Sequence, residues 1–173
     1  MIEYTVKVDD EGTFWYLNGE RHRVDGPAIE RVNGDKVWYQ NGKLHREDGP
    51  AIEYYYGSKR WFINGKRHRE DGPAIEDDDG RKDWFINGEL HREDGPAIEH
   101  ADGYKGWYHN GERHRVDGPA IEHVDGYKAW YLNGEELTQE EFKKRTQFKS
   151  IIIDGKEIKL SIDSFNELKK QLT

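Results

Sequence analysis

His-Arg-x-Asp occurs five times in this chain, at His22, His45, His68, His91 and His114, each with an Asp three residues on. A histidine near a carboxylate is the raw material of general acid–base catalysis, and clustered histidines are the raw material of a metal site. Catalysis would need one copy to differ from its siblings by a partner or a pocket, and none does. Five identical constellations suit a structural role, with Arg and Asp pairing inside a loop and His packing against a neighbouring ring. Metal binding meets a spacing problem. Equivalent histidines in adjacent copies should sit roughly 10 Å apart, whereas the ligands of one zinc ion each lie about 2 Å from it. His100 and His123 are again equivalent positions, and His109 lies toward the opposite strand end, so all three read as surface residues. No catalytic residue, metal or cofactor is expected.

The motif belongs to a longer unit. Trp15, Trp38, Trp61, Trp84, Trp107 and Trp130 are each 23 residues apart, and Pro27, Pro50, Pro73, Pro96 and Pro119 keep the same interval. Written from its Trp, the unit reads W-[YF]-x-N-G-x-x-H-R-x-D-G-P-A-I-E, followed by a variable stretch holding a Gly and a Lys. Lys36 to Gln40 and Ala51 to Tyr56 are short, aromatic or β-branched runs that suit strands. Gly57-Ser58, Asp102-Gly103 and Asp125-Gly126 supply the tight turn between them. Asn41-Gly42 to Asp48-Gly49 forms the longer connection, and Pro50 opens the next strand, where a sheet tolerates proline. The expected product is a mainly β, elongated single-layer antiparallel array of hairpins. Each copy would advance it by roughly 10 Å, from two strands of about 4.8 Å.

Composition agrees with a thin, folded array. Hydrophobic residues make up 34% and charged residues 36%, which is poor material for a large core, yet aromatics reach 13%, against disorder. No cysteine is present, which excludes disulfides and thiolate metal sites and is compatible with a reducing cytoplasm. Neither a signal peptide nor an apolar run of membrane-span length is seen. The net charge of -8 argues against nucleic acid and anionic membrane as partners. The acidity belongs to the array: residues 138–173 carry eight basic and six acidic side chains, the remainder 19 and 29.

Both ends carry their own signals. Tyr4 to Val8 and Thr13 to Leu17, joined by Asp10-Glu11-Gly12, read as an opening hairpin. Thr138-Gln139-Glu140-Glu141 is a capping box that should start a short helix to about Arg145. A hairpin of Lys149–Ile153, Asp154-Gly155 and Glu157–Leu160 should follow. Ser161 then caps a last helix with Phe165, Leu168 and Leu172 inward. The domains expected are residues 1–137 for the array and 138–173 for a terminal cap.

The aromatic, the Asn41-Gly42 turn, the following His45 and the late Asp125-Gly126 resemble the MORN repeat, which also runs about 23 residues. Arg46 replaces the usual Gly after His, and Asp48-Gly49-Pro50-Ala51 is not standard, so the likeness is to a divergent subfamily of phage, viral and prokaryotic proteins. It covers about residues 13–134. It implies the hairpin architecture and, as function, binding of proteins or phosphoinositides or a structural spacer. A phage-encoded inhibitor of a host defence factor is the most specific expectation it carries.

Invariant positions build such a scaffold and variable ones are free to recognise. The residues after the shared Glu vary, with Tyr54-Tyr55-Tyr56 and Asp77-Asp78-Asp79 the most distinctive, and so does the position before Trp (Val37, Arg60, Asp83, Gly106, Ala129). Residues beside Trp point to the opposite face, so Tyr39, Phe62, Phe85 and Tyr108 should form an exposed row of rings. These ten, Tyr39, Tyr54, Tyr55, Tyr56, Phe62, Asp77, Asp78, Asp79, Phe85 and Tyr108, are the expected partner-binding residues. The function expected is non-catalytic recognition of a protein through an acidic, aromatic-lined surface, in the cytoplasm. Sequestration of a small nucleotide-like signalling ligand and a spacer role are the alternatives, and exposed terminal strands could pair two chains as a homodimer.

Overall fold

The computed structural model describes residues 3–153 and 156–171. Its spine is a fourteen-stranded antiparallel sheet, counted among the described residues, in which thirteen strands run as a meander and Glu20–Arg21 pairs off that path with Gly12–Leu17. Most strands are only two residues long, such as Lys36–Val37, Ile52–Glu53, Lys59–Arg60 and Ile75–Glu76. Consecutive strands pair in one register throughout: Lys36 opposes Glu53, Glu53 opposes Lys59, and Lys59 opposes Glu76. One face of this spine is therefore an alternating Lys–Glu ladder, with opposite charges directly across each pair.

The strand expected over Lys36 to Gln40 is divided at Trp38. Trp38 N–H donates to Ala51 O at 2.8 Å, while Trp38 O accepts from His45 N–H at 3.2 Å. Each side of the Trp thus pairs with a different stretch of chain. Beyond it, Tyr39–Gln40 and Lys43–Leu44 form a second, tiny hairpin. Its turn is Asn41-Gly42, both at positive φ (49° and 70°), which is the type I′ turn that Asn-Gly favours. The expected long connection from Asn41 to Gly49 is therefore a two-residue turn, a return strand and a short crossing loop from His45 to Pro50.

The second tight turn also differs from expectation. Tyr54 N–H donates to Ser58 O and Gly57 N–H to Tyr54 O, both at 3.0 Å, with Gly57 at φ 106°. This is a three-residue loop closed by a left-handed Gly. Tyr55 and Tyr56 lie in the loop itself, and the strand stops at Glu53. The reason is that Gly57 must take the last loop position, which pulls the two residues before it out of the ladder.

Packing is organised by the crossing loop. The Arg46 guanidinium lies 4.0 Å from the Trp38 ring centroid. Its Nε donates to Asp48 at 2.9 Å, and its Nη1 donates to Pro50 O at 3.2 Å and to Glu53 at 2.8 Å. Arg23, Arg69, Arg92 and Arg115 repeat every one of these contacts. A Cβ on Gly49 would stand 3.0 Å from the Arg46 guanidinium carbon, and Gly26, Gly72, Gly95 and Gly118 are equally crowded. A side chain there would push the guanidinium off its place on the ring by a few tenths of an ångström. Ala28, Ala51, Ala74, Ala97 and Ala120 are fully buried.

Neighbouring units are joined along the hairpins. Gly65 N–H donates to Leu44 O at 2.8 Å and Arg46 N–H to Phe62 O at 3.1 Å. His45 Nδ1 accepts from Asn64 N–H at 3.1 Å, and His22, His68, His91 and His114 do the same for Asn41, Asn87, Asn110 and Asn133. The motif histidine thus bonds the next unit's turn, and the expected ring contact is present as well at His22 with Tyr4 and at His91 and His114 with His109.

Both ends close as the sequence predicts. Thr5–Val8 and Gly12–Leu17 form the opening hairpin. Thr138 caps the helix α1 (Gln139–Thr146) in a capping box with Glu141, and Phe142 on α1 is buried. Phe148–Ile153 and Lys156–Ser161 then pair, and helix α2 (Ile162–Gln171) follows with Phe165 and Leu168 half-buried. The expected turn at Asp154-Gly155, the Ser161 side-chain cap and the inward Leu172 lie outside the described residues. Helix α1 rests on Lys128–Leu132, the last strand with a repeat Trp, so the tail is continuous with the array.

Replacing Arg46 with Ala removes the stack and three side-chain hydrogen bonds at once, and should cost about 2 kcal/mol. Glu47→Ala, on an exposed neighbour, should stay within about 0.5 kcal/mol. Urea titration of both variants against the intact chain checks this.

Candidate functional site

Because the crossing loops stand side by side, a groove opens between each consecutive pair. Four grooves have the same wall composition. One wall carries Arg, a variable residue, Asp and Gly of one unit; the other carries Trp, His, Arg and Asp of the next. Their volumes run from about 550 to about 740 Å³. The rims are acidic, with the side chains of Glu47, Asp48, Glu70, Asp71, Glu93 and Asp94 at 84–85% exposure. At the fifth position the far wall is α1, whose Gln139, Phe142, Lys143 and Thr146 stand where a sixth loop would be.

The groove floor differs from copy to copy at one position, two residues after Trp: Gln40, Ile63, Ile86 and His109. Sequence reasoning passed over this position because it looked for variation only in the turns and before the Trp. The alternation of side chains along a strand places it on the loop-bearing face.

The expected contact residues fall in two groups. Tyr54, Tyr55 and Tyr56 form one cluster on a turn: the Tyr54 and Tyr56 rings stack at 5.2 Å, and Tyr55 meets Tyr56 edge-on at 5.3 Å. Tyr55 and Tyr56 are exposed and Tyr54 is half-buried. Asp77, Asp78 and Asp79 occupy the equivalent turn one unit on, and Ser58 Oγ joins the two turns by accepting from Asp78 N–H at 3.0 Å. Asp77 pairs with Arg60, whereas Asp78 and Asp79 are exposed.

Tyr39, Phe62, Phe85 and Tyr108 lie on the face away from the loops, as strand alternation requires, but none is exposed. The Arg67 guanidinium covers Phe62 and Phe85, at 5.9 and 5.3 Å from their centroids, and Arg113 Nε donates to the Tyr108 hydroxyl. The expected open row of rings is half-buried, with an arginine lying over Phe62 and Phe85. The position before Trp is likewise half-buried or buried in every copy, and therefore not free to recognise. Asp83 is 1% exposed and bound by Arg81, with Nη2 at 2.6 Å. Further along this face His100, Tyr104, His123 and Tyr127 alternate, with ring centroids 4.9 to 5.3 Å apart.

One group overturns the spacing argument against clustered ligands. His91, Glu93 and His109 offer ligand atoms within 4.8 Å of one another. The roughly 10 Å separation holds for equivalent positions. His109 is not equivalent to His91, and the joint between their units, where Asn110 N–H donates to His91 Nδ1, brings the two ring centroids to 4.7 Å.

The electrostatics of the loops are simple. The Arg46 guanidinium beside Asp48 holds its carboxyl below the usual range, by hydrogen bond first and by charge second, and Asp71 and Asp94 are held the same way by Arg69 and Arg92. No helix among the described residues is long and apolar enough to cross a membrane. No protein-family model, curated protein or solved structure matches this chain.

A carboxylate with a depressed folded value contributes stability that is present above its unfolded value and is lost as pH falls through the folded one. The intact chain should therefore melt higher than an Asp48→Asn, Asp71→Asn, Asp94→Asn variant at pH 7. The gap should close below about pH 4, where unfolded carboxylates take up protons. Thermal melts of both chains from pH 7 to 3 measure it.

Proposed function

We propose that this chain is a non-catalytic recognition module that binds a protein through its loop-bearing face. The observation that carries the reading is the set of four grooves of one composition, in register along the array and rimmed with exposed carboxylates. Regular spacing suits an extended segment with side chains entering successive grooves, and several weak contacts in series add to a strong one. An acidic rim over a Trp edge suits a partner that is basic with interspersed apolar groups. The Tyr55–Tyr56 cluster offers an aromatic anchor at the sheet edge.

Catalysis is disfavoured because each loop Arg and Asp is engaged in holding its own loop. The repeat is taken to be of the MORN type on the residues that carry that resemblance. A cytoplasmic setting and a phage-encoded inhibitor of a host defence factor are the specific forms of this proposal, suggested by that resemblance and by the lack of cysteine.

The test compares three forms of the full chain in capture from a bacterial lysate, followed by affinity measurement on the retained protein at two salt concentrations. They are the intact chain, Glu47→Lys with Glu70→Lys, and Tyr55→Ser with Tyr56→Ser. The reading predicts a basic partner whose affinity falls at least about tenfold on charge reversal and weakens with added salt. Equal binding by the charge-reversed chain would remove the grooves from the account, and loss only in the Tyr variant would move the contact to the turns.

A further inference from the structure

We infer that the wall between the third and fourth grooves holds a divalent transition-metal site of the zinc type, built from His91, which lines the third groove, His109, which lines the fourth, and Glu93, which lines both. The three ligand atoms already lie within 4.8 Å of one another. His91 Nε2 and Glu93 Oε1 are 4.0 Å apart, and the His91 and His109 rings are 4.7 Å apart. Two imidazoles and one carboxylate are a ligand set that suits Zn²⁺ and its neighbours, and the exposed groove leaves a fourth position to water. Closing from these separations to metal–ligand distances of about 2 Å needs only side-chain rotation, since Glu93 and His109 are both exposed.

The scaffold also orients the histidine that is least free. His91 Nδ1 lies 2.9 Å from Asn110 Oδ1 as well as 3.1 Å from Asn110 N. In the tautomer that carries its proton on Nδ1, the ring donates to Asn110 Oδ1 and presents the Nε2 lone pair to the groove. A ligand histidine held by such an outer hydrogen bond is the usual arrangement at zinc. In that tautomer Asn110 N–H gives up its bond to Nδ1, so the ion and this part of the unit joint compete for the same ring.

The repeat supplies its own controls. His45 with Glu47 and His68 with Glu70 reproduce the first two ligands at 3.6 Å. The positions equivalent to His109 beside Glu47 and Glu70 are Ile63 and Ile86. A third ligand is therefore present at one wall and missing from two that are otherwise alike. The substitution His109→Ile puts at this wall a residue the fold already accepts twice at that position. Ile86→His completes the same set with His68 and Glu70.

Isothermal titration of the chelator-treated full chain with zinc chloride tests this, alongside His109→Ile and Ile86→His. The expected result is one ion per intact chain, affinity at least about tenfold weaker in His109→Ile, and two ions per chain in Ile86→His. Melts without zinc should superimpose for the intact chain and His109→Ile, which separates lost binding from lost folding. Zinc binding that His109→Ile leaves unchanged, or no binding by the intact chain, overturns the site. A stoichiometry in Ile86→His that stays at one contradicts the reading that these three side chains suffice.

Discussion

An arginine laid flat on a tryptophan holds each unit of this protein together. The two-residue strands of the long sheet cannot hold one another by backbone bonds alone. The crossing loop supplies cover. Arg46 closes it over Trp38, anchored at Pro50 O and Glu53, and most of the invariant residues around it follow from that contact. A Cβ at Gly49 would crowd the guanidinium at 3.0 Å, and Ala51 is fully buried. Asp48 is 85% exposed, so its ion pair orients the Arg more than it stabilises it. The stack and the half-buried Glu53 contact are the energetically heavier parts.

The second constraint is the joint between units. An array of this type is stabilised by nearest-neighbour interfaces, and each unit needs one on both sides. The joint here is a row of backbone bonds lengthened by a side chain, in which a histidine nitrogen accepts the N–H of the next Asn. That use of histidine explains why the residue recurs in every copy without any chemistry attached. It also leaves the other ring nitrogen facing the groove, where a neighbouring side chain can recruit it. The opening hairpin and helix α1 end the series, with α1 standing in for a sixth loop above Trp130.

Much of this was legible in the residues, and the failures have physical causes. The period of Trp and Pro revealed the array, and Thr138 with Glu141 revealed the start of α1. The Asn-Gly hairpin was misread as part of a long connection, because its return strand, Lys43–Leu44, has neither β-branched nor aromatic residues. Tyr54 to Tyr56 look like strand by propensity, yet Gly57 takes the last position of the loop and draws Tyr55 and Tyr56 into it. Tyr39, Phe62, Phe85 and Tyr108 were assigned to the correct face and to the wrong exposure. Period-two alternation reports direction, and it carries no information about Arg67 folding over Phe62 and Phe85 or Arg113 bonding the Tyr108 hydroxyl. The grouping of His91 with His109 is not legible because His109 reads as lying toward the opposite strand end, whereas the small hairpin that carries it is joined to the preceding unit beside His91.

The central claim, that the Arg–Trp stack is the contact on which each unit depends, is tested most directly by a double-mutant cycle in the middle of the array. Unfolding free energies would be measured for the intact chain, Arg69→Ala, Trp61→Leu and the double variant. The account predicts a favourable coupling of about 1 kcal/mol or more between the two side chains, since removing either one leaves the other without its partner. A coupling near zero, with the two losses simply adding, would mean that the loops are held by their carboxylates and that the stack is incidental.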